Sequence, residues 1–149
     1  MRELRPLLHR SAEQANWSGE VVIDASGFQR DRTSYYYRNR ADFSFQYMKT
    51  AILTDVNSLA IKDAHFMTQK AWGGHIGMQV FRRTVKDLRV LSADANYSWS
   101  ELREECRSNS TRPLIKHREQ TPLQKAYNAR LNEGYNQRWM GETGFSQLK

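Results

Sequence analysis

Four residues near the end of this 149-residue chain have types and spacing that could do chemistry: Tyr135, Arg138, Glu142 and Lys149. On an α-helix, turning about 100° per residue, Arg138, Glu142 and Lys149 fall roughly −60°, −20° and −40° from Tyr135. All four then share one stripe, roughly 21 Å long. A carboxylate flanked by a phenol and two cations suits a nucleic-acid strand. The cations would hold phosphates while the carboxylate holds a metal beside them. The same stripe would also serve as a solvated charged helix face, so its meaning depends on what else can reach it.

Two other acids stand where short β-branched or apolar runs end. Asp24 follows Val21-Val22-Ile23, and Asp94 follows Val90-Leu91-Ser92-Ala93. Taken singly, each also reads as a turn residue, Asp24 ahead of Gly27 and Asp94 in Asp94-Ala95-Asn96. The elements that must position them follow from periodicity and breakers. Residues 1–18 read as a short helical lead-in, 21–24 as a strand and 25–27 as a turn. Residues 45–55 and 58–66 read as two strands joined by a tight turn at Asp55-Val56-Asn57. After Gly73-Gly74 the pattern predicts a helix over about 76–88, with Ile76, Val80, Phe81 and Leu88 buried and Arg82, Lys86 and Arg89 as a solvated basic stripe. A strand at 90–93 precedes Ser98-x-x-Glu101, which reads as a capping box opening a helix that carries Trp99, Leu102 and Cys106 on one side. Pro113-Leu114-Ile115 is a further strand, 116–134 a polar and basic stretch, and the stripe helix comes last.

That order gives an antiparallel meander followed by helical crossovers that add parallel strands. The predicted class is α/β, a ribonuclease-H-like mixed five-stranded sheet flanked by helices. The first and fourth strands of such a sheet are neighbours, so Asp24 and Asp94 would face one spot and Glu142 would approach from the last helix. Carboxylates converging on one point repel one another and demand a cation. Hard oxygen ligands suit Mg2+ or Mn2+, and two such ions roughly 3.5–4 Å apart can activate a nucleophile and stabilise a leaving oxygen.

Composition narrows the partners. With 23 Lys and Arg against 16 Asp and Glu, the net charge of +7 favours a polyanion, nucleic acid ahead of an anionic membrane. Hydrophobic residues at 39% suffice for a core, which excludes wholesale disorder. No apolar run approaches the roughly 20 residues that span a bilayer, and the first residues lack the apolar stretch of a signal peptide. Cys106 is the sole cysteine, so neither a disulfide framework nor a thiolate zinc site is expected, and it reads as buried and inert. The expected location is cytoplasmic, at the nucleoid. Arg30, Arg32, Arg38 and Arg40 interleave with Tyr35, Tyr36 and Tyr37, a mixture suited to phosphates and unstacked bases ahead of a plain exposed loop. His65 and His75 lack a metal-ligand spacing. His117, within Lys116-His117-Arg118, reads as a phosphate neighbour, and Trp72 as core or turn packing.

Three segments together resemble the DDE insertion-sequence transposases, in particular the insertion-sequence-four/five branch. They are Val22-Ile23-Asp24-Ala25-Ser26-Gly27-Phe28, Ser92-Ala93-Asp94-Ala95-Asn96-Tyr97-Ser98-Trp99, and the spacing Tyr135-x2-Arg138-x3-Glu142-x6-Lys149. Residues 30–40, 76–80 and 112–118 are similar to that group as well, so the resemblance covers about residues 20–149. It implies that Asp24, Asp94 and Glu142 hold two catalytic Mg2+ or Mn2+ ions. It also implies that Tyr135, Arg138 and Lys149 grip the backbone of the transposon end. Arg30, Tyr37, Arg40, Lys116 and Arg118 are expected to contact the DNA too. The implied reaction hydrolyses a phosphodiester at the end of the element, and the freed 3′-hydroxyl then attacks target DNA in line. The partner is double-stranded DNA, and pairing two ends implies a homodimer in the active form. Transposases of this group carry an amino-terminal DNA-binding region and continue past the signature. Residues 1–18 are therefore expected to be a lead-in, and 19–149 a catalytic core incomplete at its C-terminus, with Gly141 and Gly144 weakening the last helix. Two other readings stay open: an inactive remnant that binds DNA through its charge, and another ribonuclease-H-like endonuclease.

Overall fold

The computed structural model describes residues 4–28, 48–67 and 73–131, and beyond them residues 135, 139, 142, 143 and 146. The strands β1 (Glu20–Phe28), β2 (Met48–Asp55), β3 (Ile61–Met67), β4 (Val90–Ala93) and β5 (Arg112–Ile115) form one sheet in the order β3-β2-β1-β4-β5. β2 runs antiparallel to β1 and β3, while β4 runs parallel to β1 and β5. The helices are α1 (Leu4–Gln14), α2 (Gly73–Thr84), α3 (Ser100–Ser108) and α4 (Pro122–Arg130). This is the mixed, ribonuclease-H-like α/β sheet that the order of elements predicts.

Alternation along the strands decides which side chains meet the helices. Val21, Ile23, Ala51, Leu53, Leu91, Ala93 and Ile115 are fully buried in a cluster with Ile76, Val80 and Phe81 of α2 and with Leu102 and Cys106 of α3. Ile76, Val80 and Phe81 recur at helical spacing, so one stripe of α2 faces the sheet. Each large side chain buried this way contributes roughly 1.5–3 kcal/mol. Ile52 and Ala64 belong to a second cluster, with Leu8 of α1 packed against it.

Several boundaries differ from the sequence expectation, each for a physical reason. Ala25, Ser26 and Gly27 are strand rather than turn, because β2 supplies Ala51, Thr50 and Lys49 as ladder partners. β3 begins later than predicted, since Ser58 is held in a turn by Asp55 and Leu59 takes a left-handed φ of 59°. Gly73 and Gly74 lie inside α2, not before it. α3 has no side-chain cap, because its N-cap is Trp99 rather than Ser98, whose hydroxyl contacts His117 instead. The polar stretch hides α4, which opens with a true capping box between Thr121 and Gln124 and has Pro122 in its first turn. Its only buried residue is Asn128, so α4 lacks the apolar stripe that would betray it. Within the basic stripe, exposed Arg82 pairs with Glu105 at 2.9 Å and Glu101 at 3.3 Å, contacts worth little in solvent.

The β2–β3 connection turns on a single carboxylate. Asp55 is buried, and its Oδ1 accepts from the Ser18 amide (3.0 Å) and hydroxyl (2.6 Å). Its Oδ2 accepts from the amides of Asn57 (3.2 Å) and Ser58 (2.9 Å) and from the Ser58 hydroxyl (2.9 Å). Burial alone would raise its pKa, but the hydrogen bonds from Ser18 and Ser58 outweigh burial and hold it below the usual carboxylate value. A depressed folded-state pKa gives stability that is present above the unfolded value of about 3.9 and lost as pH falls through the folded one. Asp55→Asn puts an amide donor against this set of donors. It is expected to cost about 2–3 kcal/mol in urea unfolding at neutral pH. The gap from wild type should narrow as the pH drops below the unfolded carboxylate value. A gap independent of pH would show that the charge is irrelevant.

Candidate active site

Parallel pairing sets Ile23 of β1 opposite Ala93 of β4, so the next residue on each strand is an aspartate. Strand β4 stops there because Asp94 caps a 3-10 turn over Ala95–Tyr97. Its Oδ1 accepts from the Asn96 amide at 2.8 Å, and its Oδ2 accepts from Asn96 Nδ2 at 2.9 Å. Asp24 Oδ1 accepts from the Ala25 amide at 2.8 Å. Both acids line one cavity of about 220 Å3 together with Ala25, Lys49, Gly74, Asn96 and Tyr97.

Aromatic rings pressed onto α2 shape this cavity. Tyr97 is 3% exposed, and its ring lies 6.2 Å from that of Trp99, tilted by 39°. A Cβ on Gly77 would sit 2.3 Å from Tyr97 Cε1, and one on Gly74 would sit 1.4 Å from Trp99 Cη2. The two glycines are three residues apart, so they share a face and make a flat wall for both rings. The Tyr97 hydroxyl has no hydrogen-bond partner among the described residues. Burial, and then the charges of Asp24 and Asp94, push its pKa far above the ordinary phenol value. The group therefore stays protonated and can only be a donor or a neutral acceptor.

A second set of contacts steadies the neighbouring strand end. Arg103, buried, donates from Nη2 to the Ile115 carbonyl at 2.7 Å and to Ser98 Oγ at 3.5 Å. Its Nη1 donates to the Tyr127 hydroxyl at 3.4 Å. Ser98 Oγ also contacts His117 Nδ1 at 3.2 Å; Asn128 Oδ1 accepts from the His117 backbone amide at 2.8 Å, and Asn128 Nδ2 donates to the His117 carbonyl at 2.9 Å. Burial, then Arg103, lower the His117 pKa. This favours a neutral ring.

Of the residues singled out by sequence, Asp24 and Asp94 meet, and Arg118 reaches the cavity rim by donating to Asn96 Oδ1 at 3.3 Å. Lys116 lies over the ring of Tyr135 at 4.5 Å, and Tyr135 is 8% exposed, facing protein rather than solvent. Glu142 is exposed on helical backbone. Among the described residues no three His, Cys, Asp or Glu side chains form a metal-binding group, so Glu142 does not join the aspartate pair there. Arg30, Tyr37, Arg40, Arg138 and Lys149, and Trp72 with them, lie outside the described residues. The sequence alone assigns no place in the cavity to Lys49, Gly74, Asn96 or Tyr97. An Asn two residues after Asp94 is a signal for Asx capping, whereas Lys49 reaches the cavity only through the β1–β2 register. Mg2+ characteristically takes one or two carboxylates and completes its shell with water and phosphate oxygens. The two adjacent aspartates beside an open cavity fit that requirement.

Residues 18–149 match the family model described as the transposase DDE domain. Comparison with curated proteins finds no match. Among the described residues no helix is long and apolar enough to cross a membrane.

Gly77→Ala weighs two opposing effects. Helix propensity favours Ala by about 1 kcal/mol, while forcing a methyl against the Tyr97 ring costs about 1–3 kcal/mol. Overpacking is expected to win, lowering the urea midpoint and perturbing the near-ultraviolet signal of Tyr97 and Trp99. A raised midpoint would show that the ring is not held against α2.

Proposed function

The chain belongs to the transposase DDE domain family, and from that premise we propose that it is the catalytic core of an insertion-sequence transposase. On this reading it cleaves phosphodiester bonds at the ends of a DNA element and joins the freed 3′-hydroxyl to target DNA. The observation that carries the proposal is the β1–β4 register, which brings Asp24 and Asp94 to one cavity. In the proposed chemistry the two carboxylates hold Mg2+ or Mn2+, and Asn96 fixes the orientation of Asp94 through its amide and side chain. Bound metal would supply charge stabilisation at the phosphate and a nucleophile at neutral pH. Arg118, at the rim, orients a backbone phosphate, and the +7 charge draws in DNA with an affinity that falls steeply with salt. Glu142, supplied by the last helix, completes the metal site as the third carboxylate when DNA is bound. The catalytic unit spans 19–149, two protomers pair two DNA ends, and the protein works at the nucleoid.

A second reading has one observation in its favour. Glu142 stands apart from the aspartate pair among the described residues, as it would in a DNA-binding form that does not assemble a three-carboxylate site. Cleavage of a DNA substrate in Mn2+, lost in Glu142→Gln, separates the two. Metal binding itself is tested by thermal melting. Ligand at a hundred times its dissociation constant adds about 2.7 kcal/mol, or about 5–10 °C for a domain of this size. Mn2+ is expected to raise the wild-type melt by that order and to leave Asp94→Asn unmoved. An equal rise in both would remove the aspartate pair from the metal site.

A further inference from the structure

Among the described residues the charged side chains lining the cavity are two acids, Asp24 and Asp94, and one cation, Lys49. The sheet sets the position of Lys49. It lies on β2, a strand paired on both sides, opposite Gly27 of β1 and Met67 of β3. A lysine that serves solubility belongs on an edge strand or a loop, whereas this one is built into the interior of the sheet. Alternation puts it on the face of Ala51 and Leu53, which pack in the main core with α2. Thr50 to Asp55 are all buried, and Lys49 is the half-buried residue by which β2 reaches the cavity. Gly27, opposite it, is exposed and has no side chain to cover it. Lys49 forms no ion pair among the described residues, so the acids do not hold its charge.

We propose that the Lys49 ammonium is a phosphate-binding group that holds a backbone phosphate of the DNA in this cavity. The inference rests on the reading of the cavity as a metal-dependent phosphodiester site and adds a residue to it. Charge balance carries it. One divalent ion matches the two carboxylates, which leaves the ammonium as the uncompensated charge of the described wall. A second ion, with the charge of Glu142 set against it, only raises that excess. Metal and ammonium repel each other within one small cavity, and an anion shared between them makes both contacts favourable. A phosphodiester spreads one negative charge over two non-bridging oxygens, so it has an oxygen for each cation. Without the metal the same phosphate would meet two carboxylates, so the hold of the lysine depends on the ion.

The test uses the full chain as wild type, Lys49→Gln and Lys49→Arg. Each is melted with and without Mn2+. Each is also titrated onto a short fluorescein-labelled DNA duplex over a range of salt, again with and without Mn2+. Lys49→Gln is expected to fold and to keep the Mn2+ melting shift, because the lysine is not a metal ligand. In Mn2+ its duplex affinity should fall about tenfold. The slope of log affinity against log salt should shrink by about 0.9, the share of one phosphate contact. Without Mn2+ the two proteins should bind alike, and Lys49→Arg should recover affinity and slope in Mn2+. Equal affinity and slope for wild type and Lys49→Gln in Mn2+, with both melts raised by the metal, overturns the inference and leaves the metal reading intact. A deficit of the same size with and without Mn2+ overturns it too, because the contact would then lie outside the cavity. So does a Lys49→Gln protein that loses the Mn2+ shift, or a Lys49→Arg protein that binds no better than Lys49→Gln. A wild type whose melt ignores Mn2+ defeats the proposed function, and this inference with it.

Discussion

The parallel pairing of β1 with β4 sets Ile23 beside Ala93, and the next residue on each strand is an aspartate. That register brings both carboxylates to one cavity, and the fold must fix each side chain there. It does so locally, with the Ala25 amide on Asp24 and the Asn96 amide and side chain on Asp94. It does so globally by burying both strands in the main core. In the proposed function a divalent cation would be held by both carboxylates, completing its shell with water and phosphate oxygens.

Polar anchors at the two ends of the sheet serve that register. Asp55 pairs with Val21 across β1–β2, and its five hydrogen bonds fix the end where β1 begins. Arg103 holds the carbonyl of Ile115, the residue paired with Ala93 immediately before Asp94. Both are buried charged groups, held by hydrogen bonds rather than left to solvent. Loss of either would be felt at the acids through the backbone. The glycines of α2 act from the third direction, letting Tyr97 and Trp99 close over the cavity wall.

Much of this arrangement is legible in the sequence because it depends on local patterns. Runs such as Val21-Val22-Ile23 and Leu91-Ser92-Ala93 can hardly be anything but strands, and the order of elements makes β1 and β4 neighbours. Pairing information is what local patterns lack. The extension of β1 through Ala25-Ser26-Gly27 depends on β2 lying alongside, and Lys49 enters the cavity by the same register. Ser98 carries the right spacing for a capping box, yet its hydroxyl turns to His117 and Arg103, partners that only tertiary structure supplies. The tail shows a further limit. Tyr135 and Glu142 lie on one stripe by angle, but seven residues move them roughly 10 Å along a helix axis. One is buried under Lys116 and the other is exposed.

Iron-mediated cleavage of the polypeptide tests most directly whether Asp24 and Asp94 form one metal site. Fe2+ takes the place of Mg2+, and ascorbate with peroxide generates radicals that cut the backbone within a few ångströms of the bound ion. The account predicts paired cuts around residues 24 and 94, both suppressed by excess Mg2+ and both lost in Asp24→Asn. Cuts at only one of these strand ends, or cuts elsewhere that persist in Asp24→Asn, would contradict it.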